Sequence, residues 1–149
     1  MLQYELLLVV DTFSVPDVVM DHCSVTGNMP LLHLKLRPDT PQHYEDIHFR
    51  NITIKSRGDL ISIEGWTQYF DLKGEAAPAQ LVENVTMENV TGTAGGFGKI
   101  KGPKDATIRD ISLKDIDLTA KSSKVTIEKV DGLKVENAKI NGEPIASGQ

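Results

Sequence analysis

Five short segments of the chain, beginning at Asp17, Asp46, Asn84, Asp110 and Gly132, repeat one pattern. Directly after the first residue comes an inward apolar position, filled by Val18, Ile47, Val85, Ile111 and Leu133. Two residues on, the same role falls to Met20, Phe49, Met87, Leu113 and Val135. Five residues from the start stand His22, Asn51, Asn89, Asp115 and Asn137, followed at once by Cys23, Ile52, Val90, Ile116 and Ala138. Apolar residues at every second position put one face of a strand in a core and the other outside. A recurrent Asn or Asp between two such runs reads as a tight corner, because these side chains tolerate left-handed backbone and bond their own main chain. One such unit cannot bury its own apolar face, so units repeating at about 20–40 residues must stack on one another. The expected fold is all-β, a single-stranded parallel β-helix of about five coils, in one domain over residues 1–149.

The global properties agree with one such domain. A chain of 149 residues is long enough for a single core and short for two. Its net charge of −5 gives no basic field to attract nucleic acid, and no nucleic-acid partner is expected. Cys23, the only cysteine, excludes an internal disulfide and falls in an inward column, where a small hydrophobe is expected and not a nucleophile. The run Leu6-Leu-Leu-Val-Val10 follows Glu5, not a basic segment, and lacks a small-residue cleavage site. It is read as a buried strand opening an incomplete coil, neither a secretion signal nor a membrane span. Pro16 marks the corner into the first full repeat.

A further strand in each coil supplies the chemistry. If Leu34, Ile63, Ile100 and Ile127 share an inward column, His33, Ser62, Lys99 and Thr126 lie outward on one side of it. Lys35, Glu64, Lys101 and Glu128 lie outward on the other, alternating in sign. Rungs about 4.8 Å apart let such a ladder pair favourably, and the same face is a groove for an elongated polar ligand. The longest departure from the repeat, residues 65–79, holds Trp66, Tyr69 and Phe70; these suit either a sugar ring or the covering of a β-helix edge. Residues 37–43, with Pro38 and Pro41, read as a stiff loop, and the glycine-rich stretch 92–98 as a turn.

The segments Leu31-Leu-His-Leu-Lys-Leu-Arg-Pro-Asp-Thr-Pro-Gln-His-Tyr44 and Trp66-Thr-Gln-Tyr-Phe-Asp-Leu-Lys-Gly74, with the strand repeats around them, resemble the C-terminal part of the polygalacturonase-like glycoside hydrolases of family 28. The resemblance runs from Pro16 to Pro144. It implies the right-handed parallel β-helix and an ancestry in pectin hydrolysis, where aspartates on consecutive coils act on a uronate polymer. The family's aspartate segments, an Asn-Thr-Asp, an Asp-Asp pair and a Gly-His-Gly, lie upstream of the matched region and are absent from this sequence, so the chain reads as a truncated module. The family's Arg-x-Lys pair, which binds the uronate carboxylate, falls on His33-x-Lys35. Histidine cannot form the two-pronged contact of a guanidinium. The family is usually exported, while the chain shows no signal peptide, so the compartment stays open.

The candidate substrate-binding residues are therefore His33, Lys35, Arg37, Trp66, Tyr69 and Lys101, toward a uronate-containing oligo- or polysaccharide. As a catalytic pair, Glu64 and Glu128 would stand about two rungs apart, within reach of the roughly 6.5–9.5 Å of inverting hydrolysis. Lys101 between them favours two charged carboxylates where one protonated acid is needed. No cofactor is expected. A divalent metal enters only in an alternative, in which His22, His33, His43 and His48, too scattered within one chain, combine across subunits, with Asp11, Asp21 or Asp39 adding oxygen ligands. Three functions stay open: a carbohydrate-associated domain without the family's mechanism, a hydrolase with a different site at a subunit interface, and a structural module. A homodimer or trimer is expected through the uncapped N-terminal coil, with Leu6, Leu8 and Val10 at the interface.

Overall fold

The corner residues set the architecture. In the computed structural model, which describes residues 6–8, 14–15, 17–37, 41–65 and 80–145, every one of the ten repeat-start and corner positions has a positive φ. Asp17, His22, Asp46, Asn51, Asn84, Asn89, Asp110, Asp115 and Asn137 lie between 50° and 57°, and Gly132 at 71°. Left-handed backbone disfavours residues with a Cβ, and Asn and Asp are the side chains that best tolerate it. Eight of the ten turn a strand without ending it, whereas Asp17 stands just before the strand Val18–Gly27 and Gly132 falls between Val130–Asp131 and Lys134–Ile140.

The smaller of two sheets is parallel throughout, in the order β1 (Leu6–Leu8), β4 (Leu32–Leu36), β6 (Asp59–Gly65), β8 (Gly96–Lys101) and β10 (Val125–Glu128). The larger sheet holds β2 (Ser14–Val15), β3 (Val18–Gly27), β5 (His43–Ser56), β7 (Gln80–Ala94), β9 (Ala106–Ala120), β11 (Val130–Asp131), β12 (Lys134–Ile140) and β13 (Glu143–Pro144). Among the described strands only the β12–β13 pair is antiparallel. The chain passes alternately through the two sheets and lands one rung along at each return, which is the winding of a parallel β-helix. Between β5 and β7 the ladder runs His43–Glu45, Ile47–Arg50 and Ile52–Lys55, stepping over Asp46 and Asn51. The same gaps recur at Asn84 and Asn89 against β9. Each long strand is thus three straight arms joined by two left-handed corners, and the smaller sheet adds a fourth arm.

The inward columns follow from this register. Met20 pairs with Phe49, Phe49 with Met87, Met87 with Leu113 and Leu113 with Val135. Cys23, Ile52, Val90, Ile116 and Ala138 form a second column, and Leu34, Ile63, Ile100 and Ile127 a third. Phe49, Met87, Leu34, Ile63 and Ile100 are fully buried, each removal from water contributing about 1.5–3 kcal/mol. Cys23, on the outermost of these rungs, is only partly buried against the core.

Two expectations are corrected here. Residues 92–98 are not a turn: Gly92 lies within β7 and Gly98 within β8, with the bend at Gly95 between them. The glycines are needed because the neighbouring rung approaches closely; a Cβ on Gly92 would stand 1.9 Å from the Ile54 carbonyl oxygen, and one on Gly98 1.9 Å from that of Ile61. His43 belongs not to the proline loop but to β5, whose first residue it is. Leu6–Leu8 does form a strand, in register with Leu32–Leu34. Pro16, Val10 and Pro38–Thr40 lie outside the described residues. Among the described residues no helix is long and apolar enough to cross a membrane.

Candidate functional site

The outward face of the smaller sheet has the register that alternation requires. His33 pairs with Ser62, Ser62 with Lys99 and Lys99 with Thr126. Beside them Lys35, Glu64, Lys101 and Glu128 form one column. The ion pairs are partly diagonal. Glu64 does not bond Lys101 directly across the rung but takes Lys99 from the adjoining column, at 2.6 Å, while Lys101 reaches Glu128 at 3.5 Å. All four side chains are a third or more exposed, so each pair contributes only about 0–1 kcal/mol. Glu64 and Glu128 are two rungs apart with Lys101 between, about 10 Å by the spacing of strands. Both carboxylates are occupied by lysine ammonium groups.

The two ends of this face differ. His33 and Ser62 are 8% and 6% exposed, although they project from the outer side, whereas Lys99 and Lys101 are open to solvent. His33 is therefore not the surface histidine that its outward position suggests. Lys35 is half-buried beside it. A shallow recess of about 200 Å³, lined by Asp59, Gly96, Lys99, Ser122, Lys124 and Thr126 among others, adjoins the open end.

Arg37 closes β4 through its main chain. Its amide donates to Gln42 Oε1, and its carbonyl accepts from Gln80 Nε2. Gln42 in turn donates to the Tyr44 hydroxyl at 3.0 Å. Both glutamines are buried, so this seam satisfies backbone groups where the chain leaves the smaller sheet. Sequence reasoning missed it, because a glutamine just ahead of a strand, as Gln42 is, or at its first position, as Gln80 is, carries no signal of its own. Trp66, Tyr69 and Phe70 lie outside the described residues, as do Asp11 and Asp39.

The histidines are not brought together. His22 occupies a corner with Nδ1 2.6 Å from Asp21 Oδ1. His43 is exposed at the start of β5, and His48 Nδ1 lies 2.7 Å from Thr86 Oγ1 on the next rung. His33 belongs to the other sheet. Among the described residues no three His, Cys, Asp or Glu side chains converge on a point that would hold a metal ion.

A second charge ladder runs along the middle arm of the larger sheet: Asp21, Arg50, Glu88, Lys114 and Glu136, alternating in sign. Its members stand four residues after each repeat start, a spacing as regular in the sequence as that of the first ladder. Its terminal member is the best held. Asp21 accepts from Asn51 Nδ2 at 3.0 Å and from Arg50 Nε at 3.2 Å. The Asn51 hydrogen bond above all, then the Arg50 bond and the charges of His22 and Arg50, hold its carboxyl below the usual aspartate value. On the neighbouring arm Glu83 bonds Arg109 at 2.7 Å and keeps that guanidinium more firmly protonated.

The parallel winding, the left-handed corners and the polar outer face meet in one comparison. A family model described as glycosyl hydrolases family 28 matches residues 10–143. No curated protein and no solved structure matches the chain. Nearly the whole chain, with every described strand but β1 and the last residue of β13, lies within the family match, and the protein belongs to glycosyl hydrolases family 28.

Proposed function

We propose that this chain is a carbohydrate-binding β-helix of the family, holding a uronate-containing glycan along the outer face of the smaller sheet without the family's aspartate mechanism. The observation that supports it most is the register that sets Lys35 and Lys101 on one column, with Lys99 beside them. These ammonium groups recur along a straight, rigid face, as the carboxylates of an extended polyuronate recur along its length. Lys35 is the retained member of the family's basic pair, with His33 in place of the arginine. The 149 residues contain none of the Asn-Thr-Asp, Asp-Asp or Gly-His-Gly segments, and the two glutamates of the face are engaged by lysines.

Calorimetric titration with oligogalacturonides, run beside a reducing-end assay, tests the reading. Binding without release of reducing ends is expected, and Lys35→Ala should weaken it about tenfold, as for loss of one charge-assisted contact. Absence of binding, or binding indifferent to Lys35, would overturn it. One observation favours a second reading: Glu64 and Glu128 share a column two rungs apart, just beyond the roughly 6.5–9.5 Å of an inverting pair. Efficient cleavage abolished by Glu64→Gln would establish that reading instead.

A further inference from the structure

The repeat produces three Asn-x-Thr tripeptides, Asn51-Ile52-Thr53, Asn84-Val85-Thr86 and Asn89-Val90-Thr91. In each the asparagine is the left-handed corner, with φ of 56°, 54° and 55°. The middle residue is buried in the core, and the threonine faces outward on the following arm. Asn-x-Thr with x other than proline is the acceptor tripeptide for an N-linked glycan, which needs a surface position to be carried by a folded domain. The tripeptide alone arises wherever this repeat follows a corner asparagine with an outward threonine, so location has to separate the three.

Asn51 is half-buried, and its carboxamide is engaged on both sides: Nδ2 donates to Asp21, and Oδ1 accepts from Asn89 at 2.8 Å. Asn89 is exposed but stands outside the groove beside Asn84, the recess beside Lys99 and the hollow beside Lys55 among the described residues. Asn84 is exposed and forms part of the wall of an open groove of about 540 Å³, with Asp46, Glu83, Thr86, Asp110, Ser112 and Lys134 around it. That volume is in the range of about 300–1,000 Å³ that small ligands occupy. Carboxylates are acceptors for sugar hydroxyls, and Ser112 and Lys134 supply donors for ring and acetamido oxygens. Gly132 also lines the groove and adds no side chain to it.

We propose that Asn84 is an N-glycan acceptor and that the groove beside it seats the first sugars. The reaction is transfer from a lipid-linked oligosaccharide pyrophosphate by a host transferase. The sugar C1–O bond to pyrophosphate breaks, a C1–Nδ2 bond forms, one amide proton goes to the transferase base, and the lipid pyrophosphate leaves with the electron pair. Nδ2 keeps one hydrogen, and it is the atom that donates to Asp46 in the folded chain.

The test uses the full chain, passed through the secretory route of a eukaryotic host and recovered folded. Peptide N-glycosidase digestion in ¹⁸O-water converts a glycosylated asparagine to labelled aspartate. Label in the Asn84 peptide is expected; an unlabelled Asn84 would overturn the site. Thr86→Val should abolish the label and Thr86→Ser retain it, and mapping of the unaltered chain stands even if a variant fails to fold. The seat has its own measurement: release of the Asn84 glycan should be at least tenfold slower from the folded chain than from the urea-denatured one. Equal rates would overturn the seat.

Discussion

Asn89 donates its side-chain amide to the carboxamide oxygen of Asn51 at 2.8 Å, one rung away, and both residues hold left-handed backbone. The corner thus uses asparagine twice, for its φ and for its inter-rung bond, and substitution can separate the two. Asn89→Gly keeps the backbone and loses the bond, which should cost about 0.5–1.5 kcal/mol. Asn89→Ala loses the bond and adds about 1–2 kcal/mol of left-handed strain. Urea unfolding of unglycosylated protein should order the variants wild type, Gly, Ala. Equal stability of the Gly and Ala variants would show that the backbone conformation is not what the position requires.

Gly98 has φ of 97°, and a Cβ there would stand 1.9 Å from the Ile61 carbonyl oxygen. Gly98→Ala must open the β6–β8 rung beneath the charged face, so a loss of about 3 kcal/mol or more is expected from strain and broken ladder bonds. Gly27→Ala is the control, since a Cβ there meets nothing within 4 Å; its stability should change by less than about 1 kcal/mol. Thermal melts of the two variants check the contrast.

Glu64 neutralises Lys99 at 2.6 Å on the proposed binding face. Glu64→Gln removes that carboxylate and frees the ammonium for an anionic ligand. Oligogalacturonide binding should therefore strengthen by a few fold, with the gain shrinking at high salt. A catalytic role for Glu64 predicts lost turnover instead, so the same variant divides the two readings.

Asp21 ties the outermost arm to the next through Asn51 and Arg50. Its carboxyl is held below the ordinary value of 3.8, so the folded chain ionises it at lower pH than the unfolded chain does. Its contribution to stability is complete above that ordinary value and is lost as pH falls from there through the lowered one. Asp21→Asn should flatten this part of the stability profile, read from urea midpoints between about pH 5 and pH 2. An unchanged slope would mean that the Asn51 and Arg50 contacts do not persist in solution.

The inward columns were legible in sequence because two independent signals coincide: period-two apolar residues and a corner chemistry that few side chains supply. Met20, Phe49, Met87, Leu113 and Val135 therefore fall in register as read. Alternation assigns a side chain to a face but is silent on whether that face is covered, and so His33 was placed outward without its burial being visible. Gly92 and Gly98 were misread because a glycine needed for the close approach of a neighbouring rung looks, in one dimension, like a glycine needed for a turn. Nor does a column fix which partner a flexible side chain takes, and Glu64 reaches diagonally to Lys99.

The two ends of the described stack differ in a way that bears on association. At one end β12 turns back into the antiparallel β13, Pro144 offers no amide, and Lys134, Glu136 and Lys139 stand exposed on β12. Those are features that blunt an edge against pairing. At the other end Val18, Met20 and Cys23 are only partly buried, whereas Ile47, Phe49 and Ile52 one rung in are almost fully enclosed. Val19 is 53% exposed on the same strand, and β1 forms the edge of the smaller sheet next to β4. Apolar column ends beside strand edges that pair with no further described strand favour a contact between copies, and closed symmetry satisfies every such surface. A dimer or trimer joined at this end is therefore expected. Light scattering at low micromolar concentration should give a mass above the 16.4 kDa of one chain, and Leu8→Asp, which puts a charge at the β1 edge opposite Leu34, should shift it downward or cause aggregation. A folded, soluble monomer across that concentration range would show that this end is satisfied within a single chain.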